Sequence, residues 1–109
     1  MGGVRMRIAI TTDGKNISSH FGKTVKFTIF EILKGRTKGK LLIDVSASGG
    51  DDALVYVLKN EGVEVLLCGG IAEKIRLELE NQGIEVIAGL RGNINAVLRG
   101  YLRRQSKME

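Results

Sequence analysis

This chain is poor in reactive side chains. Its 109 residues include one cysteine, one histidine, no tryptophan and only 5% aromatic residues. With Cys68 alone, no intramolecular disulfide can form, and His20 by itself cannot chelate a metal ion. The few aromatic rings leave little surface on which nucleobases could stack. No apolar run approaches the roughly 20 residues needed to cross a bilayer, so a cytoplasmic location is expected. Neither a Walker A sequence nor a G-x-G-x-x-G fingerprint occurs, and no zinc-type spacing, Ser-His-Asp set or carboxylate pair stands out.

What is present fits one globular domain spanning residues 1–109. With 43% hydrophobic residues, a chain of this length can build a single core and is too short for two. The start, Met1-Gly2-Gly3-Val4-Arg5-Met6, is too polar and short for a secretory signal, and Met6 stands where a myristoylation motif requires Ser or Thr. Residues 1–5 read as a ragged leader. The formal charge of +5 would suit nucleic acid or another anion, but much of the excess lies in the turn 34–40 and the tail 99–107, and such lysines and arginines are more often a solvated surface than a phosphate track.

The hydrophobic period changes along the chain. Met6 to Thr12, Val25 to Leu33 and Leu41 to Val45 read as strands, the last two joined by a short turn and hence antiparallel. From Asp51 the pattern alternates. A helix carrying Leu54, Val57 and Leu58 precedes the strand Val63 to Leu67; a helix carrying Ile71, Ile75 and Leu79 precedes the strand Ile84 to Ala88; and a final helix carries Ile94, Val97, Leu98, Tyr101 and Leu102. Gly62 and Gly83 sit where helix ends favour a left-handed residue. The order βββαβαβα, with right-handed crossovers, predicts an α/β fold with a five-stranded mixed sheet of order 3-2-1-4-5 and helices on its faces.

In that arrangement the loops 13–24, 46–52, 68–71 and 89–93 converge on the carboxyl rim of the sheet, where open α/β sheets bind ligands. Three of these loops lead into helix N-termini, whose free N–H groups attract anions. Within the first loop, Ser18-Ser19-His20-Phe21-Gly22 places an imidazole among small polar residues, with Phe21 as anchor and Gly22 permitting an unusual backbone. That suits a ligand-facing histidine better than a core one. Gly49, Gly50, Gly69 and Gly70 would let main chain approach a ligand, and they equally suit ordinary strand-to-helix turns. Arg91 adds a cation on the same rim. Cys68, at the end of the fourth strand, reads either as a thiolate ligand beside His20 or as a buried structural thiol. Asp13, Asp51 and Asp52 read as turn and helix caps.

The segments Met6-Arg7-Ile8-Ala9-Ile10-Thr11-Thr12-Asp13, Ser19-His20-Phe21-Gly22 with its following Phe-rich strand, Cys68-Gly69-Gly70-Ile71-Ala72 and Gln82-Gly83-Ile84-Glu85-Val86 together resemble the dinitrogenase iron-molybdenum cofactor biosynthesis family. The likeness spans nearly the whole chain. It implies a ribonuclease H-like three-layer α/β fold and, in nitrogenase members, a role in holding an iron-sulfur or iron-molybdenum cluster or its precursor. The loop histidine is the ligand that such carriers imply, and it corresponds to His20. The chain departs from the common pattern at Ala72, where many members have glycine, and near Gly49-Gly50-Asp51, where related small proteins often carry another histidine.

The expected function is therefore non-catalytic: a carrier that binds a metal-sulfur cluster transiently, outside or within nitrogen fixation. His20 and Cys68 are the candidate metal ligands, and Phe21, Gly22, Gly49, Gly50, Gly69, Gly70 and Arg91 complete the candidate binding site. Its partners would be a cluster donor or acceptor protein, with no membrane and no nucleic acid, and the chain would be a monomer or weak homodimer. Two other classes remain open. A nuclease is suggested by fold analogy, with Asp13 the only obvious acid at the first strand's end; an interaction or regulatory domain would use the Arg99, Arg103 and Arg104 face on an acidic partner.

Overall fold

The computed structural model describes residues 5–107. Its centre is β1, Arg5–Asp13, where the consecutive residues Ile8, Ala9 and Ile10 are all fully buried. A strand buried on both faces needs apolar residues at every position rather than alternate ones, which explains why this run lacks a period of two. Beside β1 runs the antiparallel hairpin of β3, Lys26–Leu33, and β4, Arg36–Asp44. Its turn, Lys34-Gly35, has φ of 54° and 76°. Two left-handed residues in succession match the twist of a two-residue hairpin, and Gly35 takes its angle without steric cost.

The helical half follows: α1 Asp51–Asn60, β5 Val65–Leu67, α2 Glu73–Asn81, β6 Glu85–Ile87 and α3 Ile94–Lys107. β5 pairs parallel with β1 on one side and with β6 on the other. The main path of the sheet is β4-β3-β1-β5-β6. Alternate side chains of the strands divide the interior in two. Ala9, Phe27, Ile29 and Leu66 pack with Leu54, Val55 and Leu58 of α1 and with Ile75 and Leu79 of α2. Ile8, Ile10, Phe30, Ile32 and Leu67 pack with Ile94, Leu98 and Tyr101 of α3. Each fully buried large side chain contributes about 1.5–3 kcal/mol relative to exposure. No described helix is long and apolar enough to cross a membrane.

Three expectations need correction. The sheet has six strands, not five: β2, Asn16–Ile17, folds back onto the end of β1 through Thr12↔Ile17 and Asp13↔Asn16. Gly14, at φ 65°, makes that reversal, and a two-residue strand is too short to show a period. Secondly, β4 begins at Arg36 rather than Leu41. An edge strand with little to bury has no need of apolar alternation, so its basic first half read as turn. Thirdly, Arg5 belongs to β1, opposite Leu33, and only residues 1–4 of the supposed leader lie outside the described chain.

Candidate functional site

Main-chain hydrogen bonds place the histidine loop. Ser18 N donates to Thr11 O at 2.9 Å, holding the start of the loop against β1. Phe21 N then donates to Gly70 O, and Gly70 N to Ser19 O, both at 2.8 Å. These two bonds form a parallel bridge between His20 and Gly70, so the loop after β1 lies alongside the loop after β5. Phe21 enters the core at 2% exposure, its ring tilted 41° to that of Phe27 with centroids 6.1 Å apart. A single 3-10 turn, Phe21–Lys23, follows. The His20 carbonyl accepts from Lys23 N at 3.1 Å and Ser18 Oγ at 3.2 Å, so the backbone is held while the imidazole stays exposed. Ser19 Oγ lies 3.1 Å from His20 Nδ1. With one ring nitrogen engaged in this way, Nε2 is the nitrogen left for a ligand.

Around the imidazole is a cleft of about 320 Å³, lined by His20, Phe21, Gly22, Asp51, Gly70, Ile71, Ala72 and Ile75. Phe21, Ile71 and Ile75 make its apolar wall; Asp51 is its one acidic side chain. Both flanking helices begin here, α1 after Gly50 and α2 after Ala72, and neither has a side-chain cap. Uncapped first turns present N–H groups and partial positive charge. At α1 that charge is opposed by Asp51 and Asp52 in its first turn.

The glycines act differently from expectation. A Cβ on Gly69 would fall 2.6 Å from Ser18 O and 2.8 Å from Ser19 O, and one on Gly70 would fall 3.2 Å from Ser19 O. Gly69 is therefore needed so that the histidine loop can lie on the β5 turn; it does not open space for a ligand. Gly70 serves the same contact while its main chain also borders the cleft. Gly22 faces Asp51, whose Oδ1 would stand 2.9 Å from a Cβ there.

Gly49, Gly50, Gly69, Cys68 and Arg91 do not line the cleft. Gly50 supplies the cap position of α1, and Gly49, at φ 98°, turns the chain into it. Arg91 is exposed in the turn before α3. That helix packs on the opposite face of the sheet, and its N-terminus is already satisfied: Ile94 N donates to Lys15 O at 3.0 Å, and Asn95 N and Ala96 N to Asn93 Oδ1 at 2.9 and 3.2 Å. Only two of the three helix N-termini therefore adjoin the imidazole. Cys68 is fully buried in the core under α1 and α2, and burial pushes its thiol up to about 11. It is a neutral packing group near pH 7, and the expectation of a thiolate beside His20 does not hold.

The profile described as "Dinitrogenase iron-molybdenum cofactor" matches residues 4–104. The chain belongs to the dinitrogenase iron-molybdenum cofactor family. An uncharacterised protein of Methanocaldococcus jannaschii is 29% identical over 108 residues, covering 95% of this chain and 90% of its own. The crystal structure of the protein PH0822 superposes with a TM-score of 0.84 at 27% identity, over 90% of this chain and 89% of that one. The apo form of the orange protein from Desulfovibrio gigas has the same fold, with a TM-score of 0.72 at 24% identity, over 97% and 91% of the two chains.

Within this family member, sequence reasoning missed Asp51, Ser19, Ile71, Ala72 and Ile75 as neighbours of the imidazole. Asp51 read as an ordinary first-turn acid, and nothing in its local spacing shows that the loop beginning at Ser18 arrives opposite it. Ile71 and Ile75 were legible only as an apolar helix face. Ile75 is largely buried, yet it also borders the cleft.

Proposed function

We propose that this protein is a non-catalytic carrier that holds an iron-sulfur or iron-molybdenum-type cluster, or its precursor, as a transient cargo against His20. The observation that carries the reading is an exposed imidazole on a fixed backbone at the mouth of a cleft with one apolar wall and two uncapped helix starts. Imidazole is a good ligand for iron, and helix N–H groups favour the sulfide-rich anionic surface of such a cluster. Membership of the family and the fold shared with the orange protein support it.

The donor set fits a cargo better than a resident group. Among the described residues no cluster of three or more His, Cys, Asp or Glu side chains could hold a metal ion, and the one thiol is buried. A single coordinate bond assisted by dipoles, and opposed by the Asp51 carboxylate, gives a hold that can be released to a partner. The same donor set offers no gathered carboxylates of the kind a two-metal nuclease uses.

Anaerobic titration with an iron-sulfur cluster donor tests the reading. Wild type should develop visible absorbance bands, and His20→Ala should show them reduced at least about tenfold in affinity. Equal uptake by His20→Ala would overturn it.

A further inference from the structure

The hairpin turn and the strand after it carry Lys34, Arg36, Lys38 and Lys40, and none of the four makes an ion pair among the described residues. The acid nearest in register is Glu31, opposite Gly39. It is already engaged by Arg5 at 3.8 Å and Arg7 at 3.6 Å. Asp44, at the far end of β4, accepts from Ser46 N and Oγ at 2.9 and 2.6 Å. The positive charge here is thus uncompensated, and geometry concentrates it. A β-bulge skips Lys38 in the pairing, since Glu31 opposes Gly39 and Ile32 opposes Thr37. Lys38 consequently shares one open cavity of about 430 Å³ with Leu33, Lys34 and Arg36.

β4 is also an edge. It pairs with β3 on one side and ends the sheet on the other, so its outward N–H and C=O groups have no strand partner. Past the basic half, Leu41 and Leu42 are 43% and 55% exposed and offer an apolar footing on each face of the strand. Lysines and a bulge on an edge discourage pairing with another copy of the same chain. Each copy would bring the four cations with Asp44 as its only β4 acid. The same charges favour a partner of opposite sign.

We propose that β4 is a docking edge for an acidic, extended segment of another protein, which adds to the sheet as a further strand with its Asp and Glu side chains against Lys34, Arg36, Lys38 and Lys40. Outward main-chain donors and acceptors at strand spacing are complementary to another polypeptide strand. β4 presents no aromatic ring on which a base could stack, which sets a polypeptide above a nucleic acid. This docking edge is separate from the cleft and does not depend on what His20 holds.

The full chain, free of any cluster, would be titrated with a short fluorescent peptide alternating Glu with Val or Thr, while amide exchange is followed along the chain. The expected result is binding that weakens with rising salt, slowed exchange confined to β4, and about tenfold loss in the Arg36→Glu, Lys38→Glu, Lys40→Glu variant. Equal binding of the same acidic peptide with proline at alternate positions would overturn the proposal, because proline cannot donate to a ladder. Equal binding of a single-stranded oligonucleotide of matched charge, unchanged exchange at β4, or no binding at all would overturn it too. The exchange measurement on wild type decides the matter even if the charge-reversed variant folds poorly.

Discussion

Gly69 lies so close to Ser18 that a Cβ on it would stand 2.6 Å from the Ser18 carbonyl oxygen. This contact joins the two loops of the site, and backbone rather than a flexible side chain forms it, so nothing yields cheaply. Gly69→Ala should destabilise the fold by about 1–3 kcal/mol. It should also shift the imidazole resonances of His20, which a loss of stability alone would not move. Denaturant melts with NMR of the ring protons test both.

Asp51 lines the same cleft as His20, so its carboxylate would oppose an anionic cargo of the kind proposed above. Asp51→Asn keeps the side-chain shape and removes the charge, so an anionic cluster should bind about three- to tenfold more tightly and leave more slowly. Stopped-flow transfer to a chelator measures the second effect. An unchanged release rate would show that this carboxylate does not face the cargo.

Burial raises the Cys68 thiol from 9.0 to about 11. The folded protein therefore holds that proton more tightly than the unfolded chain does. The stability tied to this group is whole below pH 9 and is lost as pH rises through about 11, a contribution on the order of 3 kcal/mol. Urea midpoints across that window should fall more steeply for wild type than for Cys68→Ala. At neutral pH the native thiol should react with iodoacetamide far more slowly than it does in urea.

Thr11 is fully buried, and its Oγ1 has no hydrogen-bond partner among the described residues. By contrast, Thr12 shares a 2.8 Å hydroxyl contact with Thr28. Replacing an unpartnered hydroxyl by a methyl of nearly the same shape removes a desolvation penalty, so Thr11→Val should stabilise by about 1 kcal/mol. Thr12→Val, which leaves Thr28 unpaired, should destabilise by a comparable amount. Paired thermal melts distinguish the two.

Legibility tracked how far each feature depends on residues near in the chain. The unbroken apolar run Ile8-Ala9-Ile10 marks a central strand on local grounds. Glycines 62 and 83, at φ 69° and 86°, mark helix ends for the same reason. His20 stood out because a lone imidazole among serines has no packing role. The cleft itself was not legible: Asp51 and Ile71 meet His20 only after the sheet is assembled, and no local period records that meeting. Glycine at position 69 read as room for a ligand or as an ordinary turn residue, whereas the group that approaches it is the main chain of Ser18 and Ser19, which no local pattern records. Charge misled at β4, where Arg36, Lys38 and Lys40 disguised an edge strand as a turn.

His20 and Gly70, though bridged, lie far apart along the chain, in the strand-rich first half and the helical second half respectively. A polypeptide emerging amino end first can close the β3-β4 hairpin on β1 while the residues that grip the histidine loop are still unmade. Until β5 and the start of α2 have docked, the cleft lacks Gly70, Ile71, Ala72 and Ile75, and Phe21 alone stands for its apolar wall. On the carrier function proposed above, a truncated or half-folded chain should therefore fail to take up cargo, and uptake competence would report completed folding.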